Sequence, residues 1–281
     1  MEQKGNSIGQ HTALYRKYRS RSLDEVVSQS QVTDILKRSL AQGKISHAYL
    51  LTGPKGVGKT SVARILAHEI NGLEYSDSTN LDIIEIDAAS NNSVEDVRDL
   101  RDRVMIAPIA TAKKVYIIDE VHMLSKSAFN ALLKTLEEPP AHVVFILATT
   151  DVQKLPETII SRTQHFALHS ISQDDLAKQL KKIAKGEGIK IDDDALAAIA
   201  ARGDGSFRNS IGLLDQLSSF ADEKSGITRQ LVESVLGLAP HELVKGVLES
   251  VENHDISAII TQLNTLEQRG IRPTVFADQL M

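Results

Sequence analysis

The run Tyr49-Leu50-Leu51-Thr52-Gly53-Pro54-Lys55-Gly56-Val57-Gly58-Lys59-Thr60-Ser61 decides the reading of the whole chain. A short strand-forming segment, Tyr49 to Thr52, runs into Gly53–Thr60, which fits the phosphate-loop pattern G-x-x-x-x-G-K-[ST]. A helix from Ser61 to Asn71 follows, which is the strand–loop–helix context that the pattern requires. The glycines let successive backbone N–H groups of Gly53, Pro54, Lys55, Gly56, Val57 and Gly58 wrap a phosphate, proline aside, and the helix N-terminus adds the positive end of its dipole. In this reading Lys59 neutralises the β- and γ-phosphate oxygens, Thr60 ligates magnesium, and Ser61 completes the nucleotide contact.

Working outward, short apolar runs alternate with amphipathic stretches over roughly the first 150 residues, the pattern of a parallel α/β sheet with crossover helices. Strands are predicted at Tyr49 to Thr52, Ile83 to Ile86, Val115 to Ile118 and Val143 to Ala148, with a fifth from Gln164 to Leu168. Helices fit at Val94 to Val104 and Ser127 to Leu136, the latter stopped by Pro139 and Pro140. After His169 the texture becomes helical: Gln173 to Lys185, Asp193 to Ala201, Phe207 to Phe220 and Arg229 to Leu236. Pro240 marks a further boundary, and Leu243 to Leu280 reads as two or three helices with little core of their own. The expected division is residues 1–169, 170–239 and 240–281.

The run Val115-Tyr116-Ile117-Ile118-Asp119-Glu120 delivers two acids at the carboxyl end of a strand, where ligands gather in open α/β sheets. Asp119 is placed to hold magnesium, and Glu120 to polarise an attacking water as general base. Taken alone, such a pair also serves as an ordinary helix N-terminal feature.

Composition bounds the rest. The 281 residues are 42% hydrophobic and 25% charged, as in a globular protein, and none is cysteine, which excludes disulfides and thiolate metal sites. No stretch approaches the roughly 18 apolar residues of a membrane span, and the N-terminus has no apolar signal core, so the expected location is the cytoplasm without a membrane partner. A net charge of −5 requires any nucleic-acid contact to be local, and 4% aromatics without tryptophan argue against a base-stacking platform.

Four runs, HAYLLTGPKGVGKTSVARILAHEI, IEIDAASNNSVEDVRDLRD, KVYIIDEVHMLSKSAFNALLKTLEEPP and FILATTDVQKLPETIISRTQHF, together with the opening LYRKYRS, resemble successive motifs of the bacterial clamp-loader gamma/tau family. The resemblance covers about residues 13 to 240. It implies a RecA-like AAA+ ATPase domain, a helical lid and the start of a helical collar, acting with ATP and magnesium. Its implied partners are other loader subunits in a pentamer-like ring, a sliding clamp and primer-template DNA gripped by its backbone. Through ATP binding such a subunit assembles the loader and opens the clamp, and hydrolysis on primed DNA releases it.

By the same resemblance, Ala148-Thr149-Thr150-Asp151 matches sensor 1, with Thr150 the chosen contact to the γ-phosphate or lytic water and Thr149 the alternate. Ser161-Arg162-Thr163 matches the Ser-Arg-Cys motif with threonine for cysteine, which makes Arg162 a finger acting in trans on a neighbour's ATP. Gly205-Ser206-Phe207-Arg208-Asn209 matches sensor 2, with Arg208 reaching the γ-phosphate. The opening basic run places Tyr15 and Arg16 near the adenine base. Ser90, Asn91, Asn92 and Arg98 are the local candidates for phosphate contact with DNA, although Ser90 or Ser93 equally suits a helix cap. The chain departs from the family in lacking the four-cysteine zinc module, so no zinc is expected, and in carrying Ser20 and Ser28 where proline and glycine are common. Two other functions remain: a nucleotide-binding subunit that does not hydrolyse, and another AAA+ DNA motor such as a branch-migration helicase.

Overall fold

The computed structural model describes residues 12–78, 80–90, 103–222 and 224–280. Within these the chain forms a five-stranded, wholly parallel sheet: β1 (Ala48–Thr52), β2 (Ile83–Asp87), β3 (Lys114–Asp119), β4 (Val143–Thr149) and β5 (Gln164–Ala167). The strand order is β2-β3-β4-β1-β5. All five strands expected from the sequence are present, within one residue at each end.

Burial explains why these runs became strands. Every residue of β1 and β4 is buried, and β3 is buried up to its final acid, as befits central strands covered on both faces. The outer strands β2 and β5 are only partly buried, which accounts for Glu85, Gln164 and His165 within them. Tyr116, Phe145, Leu147 and Leu50 meet Phe129, Leu132 and Leu136 in one core cluster. Those last three lie on the helix Lys126–Glu137, whose start is capped by Ser125 accepting from Ala128 N–H at 3.2 Å.

The register puts the chemistry at one end. Thr52 pairs with Thr149, and Ile118 with Leu147, so the loop after β1, the acids after β3 and the threonines closing β4 leave the sheet side by side. Because β4 lies between β1 and β3, its end falls between the phosphate loop and the acid pair.

Gln29 and Asp82 are polar yet wholly buried. Gln29 is fully buried and clasps His169, accepting from its N–H at 3.1 Å and donating to its carbonyl at 2.8 Å. Asp82 accepts from the backbone N–H groups of Ile109, Ala110 and Thr111 at 2.7–3.0 Å, which holds its carboxyl below the usual range despite burial. The sequence reading passed over the helix Ser30–Ala41, which buries Val32 and Leu36. The helix predicted at Val94 to Val104 falls mostly outside the described residues.

Backbone packing divides the chain into two units, residues 1–175 with 205–208, and residues 176–204 with 209–281. The second is helical, as expected. Asp192, Thr228 and Asp255 cap its helices Asp193–Arg202, Arg229–Leu236 and Ile256–Gln268, and Gly237 ends one of them in the left-handed conformation. Its last three helices, His241–Glu252, Ile256–Gln268 and Pro273–Leu280, share a small core of Ala239, Val244, Val247, Leu266 and Phe276. No helix among the described residues is long and apolar enough to cross a membrane.

Candidate nucleotide site

The phosphate loop is shaped by glycines that no other residue replaces. Gly53, Gly56 and Gly58 have φ of 141°, 79° and 107°, in the region side chains avoid. Two are also sterically fixed: a Cβ on Gly53 would lie 2.2 Å from the Leu168 carbonyl oxygen, and one on Gly56 2.0 Å from Ser206 Oγ. Val57, 1% exposed, pins the loop from beneath, while Pro54 and Lys55 are exposed. The helix Lys59–Ile70 starts directly after Gly58.

Lys59 is the first residue of that helix and is 6% exposed. Its Nζ donates to the carbonyls of Gly53 at 2.8 Å and Pro54 at 2.7 Å, folding the ammonium over the loop's concave side. Burial pushes its pKa below the ordinary lysine value, while the nearby charges of Glu120 and Asp119 pull it back up. Thr60 Oγ1 donates to Asp119 Oδ2 at 2.7 Å, so a hard oxygen ligand from the helix after the loop and one from the end of β3 converge. Among the described residues no group of three metal-ligating side chains exists. The Thr60–Asp119 pair suits a small hard cation that keeps most of its shell as water and phosphate oxygen, the habit of magnesium.

Glu120 turns sharply away from the strand, with φ 48° and ψ 45°, a left-handed conformation unusual for glutamate. Its N–H donates to Asp119 Oδ1 at 2.9 Å. Its Oε2 accepts from Thr150 twice, from the backbone N–H at 3.1 Å and from Oγ1 at 2.9 Å. Thr150, expected to contact the γ-phosphate or the lytic water, here bonds to the acid that follows β3. Thr149, the alternate, is fully buried and faces another partner: its Oγ1 is 2.9 Å from His122 Nδ1 and accepts from Asp151 N–H at 3.0 Å.

His122 is the residue that the sequence reading missed. Its side chain is 9% exposed, and Nδ1 stands 3.4 Å from Glu120 Oε2. Only the single turn Val121–Met123, which folds the chain back under Glu120, brings it there. The available signal was its place two residues beyond the acid pair.

The remaining candidates are less tightly joined to this cluster. Arg208 lies with its guanidinium carbon 5.2 Å from the Tyr15 ring centroid, a cation–π contact that puts two predicted nucleotide residues together. Arg16 is exposed on the same short helix, Leu14–Lys17. Arg162 donates to the Thr158 carbonyl at 2.9 Å and to Glu137 Oε1 at 2.8 Å. Ser90 sits in an exposed turn with Oγ 3.2 Å from Asp87 Oδ2, while Asn91, Asn92 and Arg98 lie outside the described residues.

Comparison with known proteins follows the same division. Residues 28–172 match the family model described as DNA polymerase III, delta subunit, and residues 175–223 match DNA polymerase III clamp loader subunit, ATPase lid domain. DNA polymerase III subunit tau of Bacillus subtilis is 40% identical over 96% of this chain and 50% of its own length. The tau subunit of Escherichia coli is 41% identical over 93% of this chain and 43% of its own. Subunit gamma of Buchnera aphidicola is 39% identical over 92% of this chain and 75% of its own length. The chain thus spans about half of the tau relatives and three quarters of the gamma one. Among solved structures, a Thermotoga maritima RuvB K64R mutant superposes with a TM-score of 0.64, covering 94% of this chain and 91% of that one at 22% identity. That likeness is one of fold. The first family model carries the delta name, but the relatives that run across both matched segments are tau and gamma subunits, and the chain belongs to the bacterial DNA polymerase III gamma/tau family of clamp-loader AAA+ subunits.

Proposed function

We propose that the chain is an ATP-hydrolysing subunit of a sliding-clamp loader, in which ATP binding assembles the loader and opens the clamp, and hydrolysis on primed DNA releases the clamp. The observation that carries this reading is the convergence of Lys59, Thr60, Asp119, Glu120 and Thr150 at one end of the sheet, joined by direct hydrogen bonds from Thr60 to Asp119 and from Thr150 to Glu120. Lys59 and the backbone N–H groups of Gly56 and Gly58 hold the β- and γ-phosphates. Thr60 and Asp119 would hold magnesium, which supplies charge neutralisation to the phosphates when bound. Glu120, once its carboxylate faces the γ-phosphate, orients a water in line with the scissile bond and takes its proton. Thr150 has an N–H and an O–H in reach of the same carboxylate, so its donors are placed to steady either the acid or the water it holds.

The finer assignments belong to the same proposal. Residues 1–169 are the ATPase domain, 170–239 the lid and 240–281 the start of a collar. Arg208 and Tyr15, with Arg16, frame the nucleotide. Arg162 bonds within its own chain to Glu137 and Thr158, and its match to the family's Ser-Arg-Cys motif supports its reading as a finger that works on a neighbour's ATP. The partners are then other loader subunits in a ring, a clamp and primer-template DNA, with Ser90, Asn91, Asn92 and Arg98 the candidate phosphate contacts, in the cytoplasm. The test is ATP turnover in a reconstituted loader: clamp and primer-template together should raise it at least about tenfold, the scale of an assembled arginine finger being larger still. Turnover indifferent to both would reject the loader reading, and zero turnover in every assembly would favour a subunit that binds nucleotide without hydrolysing it.

A further inference from the structure

The Arg162 guanidinium bridges two helices. One partner, Glu137, is the last residue of the helix Lys126–Glu137, and the other, Thr158, offers a carbonyl from the short helix Glu157–Ile160. Both bonds are short, 2.8 Å to Glu137 Oε1 and 2.9 Å to Thr158 O, and they leave from different nitrogens, Nη2 and Nη1. Two anchors on one planar fork fix its plane as well as its position, which a single bond does not. The two bonds use two of the five N–H donors of an arginine, so the group stays able to bind phosphate oxygens while anchored. The arginine side chain is 34% exposed and the glutamate 49%, which places the pair at the surface where another molecule can meet it.

We infer that Glu137 is a positioning residue for Arg162: it holds the guanidinium in the orientation in which it enters the neighbouring subunit's ATP site. This rests on the reading of Arg162 as a finger in trans. The physical reason is entropy and alignment. A long arginine side chain left free would sample many rotamers, most of them pointing away from the transferring phosphoryl group, and a misaligned stabilising charge loses much of its effect on rate. The opposite role, a latch whose negative charge withholds the finger, makes the reverse prediction.

The experiment uses the full-length chain assembled with its loader partners, clamp and primer-template, and compares Glu137→Ala, Glu137→Gln, Arg162→Ala and the Glu137→Ala/Arg162→Ala double variant. A glutamine keeps an acceptor oxygen for Nη2 but removes the charge. Glu137→Ala is expected to lower kcat about five- to tenfold with KM for ATP unchanged, Glu137→Gln to stay within about twofold of the parent, and the double variant to be no slower than Arg162→Ala alone. A merely structural role would make the two losses multiply and would not be rescued by glutamine. Faster turnover in both Glu137 variants would replace the positioning role by a latch, and unchanged turnover in Glu137→Ala would overturn it. If Arg162→Ala itself turns over normally, the finger assignment fails first and the positioning role falls with it. Unaltered melting of each variant and unaltered ADP affinity exclude misfolding as the cause of any loss.

Discussion

The two places where this chain carries functional charge are built in opposite ways. Around the phosphate loop, Lys59 is buried, Asp119 and Glu120 each accept two hydrogen bonds from neighbouring groups, and the backbone itself is committed through Gly53, Gly56 and Glu120. At Arg162, a partly exposed arginine is held by an exposed glutamate and one carbonyl. The first arrangement is complete within one chain and tolerates little movement. The second is anchored by two bonds at the surface and partly in solvent, as suits a group whose proposed target arrives with another subunit. On the proposed function, the difference makes binding nucleotide a property of the fold and hydrolysing it quickly a property of the assembly.

Breaking the buried half should have the largest effect. Lys59→Ala removes the ammonium proposed to face the β- and γ-phosphates and is expected to lower kcat/KM at least about a thousandfold, with a measurable loss of ATP affinity by equilibrium titration. Glu120→Gln keeps the size and the hydrogen bonds from Thr150 but not the basicity. It should lower kcat about a hundred- to a thousandfold while ATP still binds, seen as normal titration beside failed single-turnover hydrolysis.

Gly56→Ala sharpens the claim that backbone shape matters as much as charge. The added methyl meets Ser206 Oγ and must adopt a φ of 79°, so nucleotide affinity should fall about tenfold or more although no charged group changes. Ser206→Gly introduced beside it should recover part of the loss, since only the steric component is relieved. Equal affinities for Gly56→Ala and the parent would contradict the geometry of the loop.

The smallest effect lies inside β3. Tyr116 is fully buried and its Oη has no hydrogen-bond partner among the described residues, and burial pushes its phenol up to about 12. A pKa raised from the ordinary value near 10 means that the unfolded chain ionises first. The corresponding stability is intact below pH 10 and drains away between about pH 10 and 12. Tyr116→Phe should therefore be neutral or stabilising by up to about 1 kcal/mol at pH 7, and its melting temperature should decline less steeply above pH 10. A clear destabilisation at pH 7 would show that the hydroxyl is satisfied after all.

Much of this was legible in the sequence, and what was not has a common cause. The phosphate loop, the acid pair and the five strands could be read because each is a local pattern: a fixed spacing of glycines, or an apolar run ending in acids. Thr150 could be named through its match to the family's sensor 1, but not its bond to Glu120, which depends on the left-handed turn at that glutamate. The same turn hides His122. The clasp of Gln29 on His169 and the pairing of Glu137 with Arg162 join residues far apart in sequence that carry no mutual signature. The helix Ser30–Ala41 was overlooked because its buried residues, Val32, Thr33 and Leu36, make a thin apolar stripe among polar neighbours.

The central claim is that one chain binds ATP by itself but needs a neighbour's Arg162 to hydrolyse it fast. The most direct test is turnover per chain measured from high dilution of the isolated chain up to the assembled loader at saturating ATP. The account predicts slow turnover for the dilute chain, a rise on assembly, and abolition of that rise when Arg162→Ala is carried by the subunits that donate the finger. Rapid turnover by the dilute, monomeric chain would contradict it.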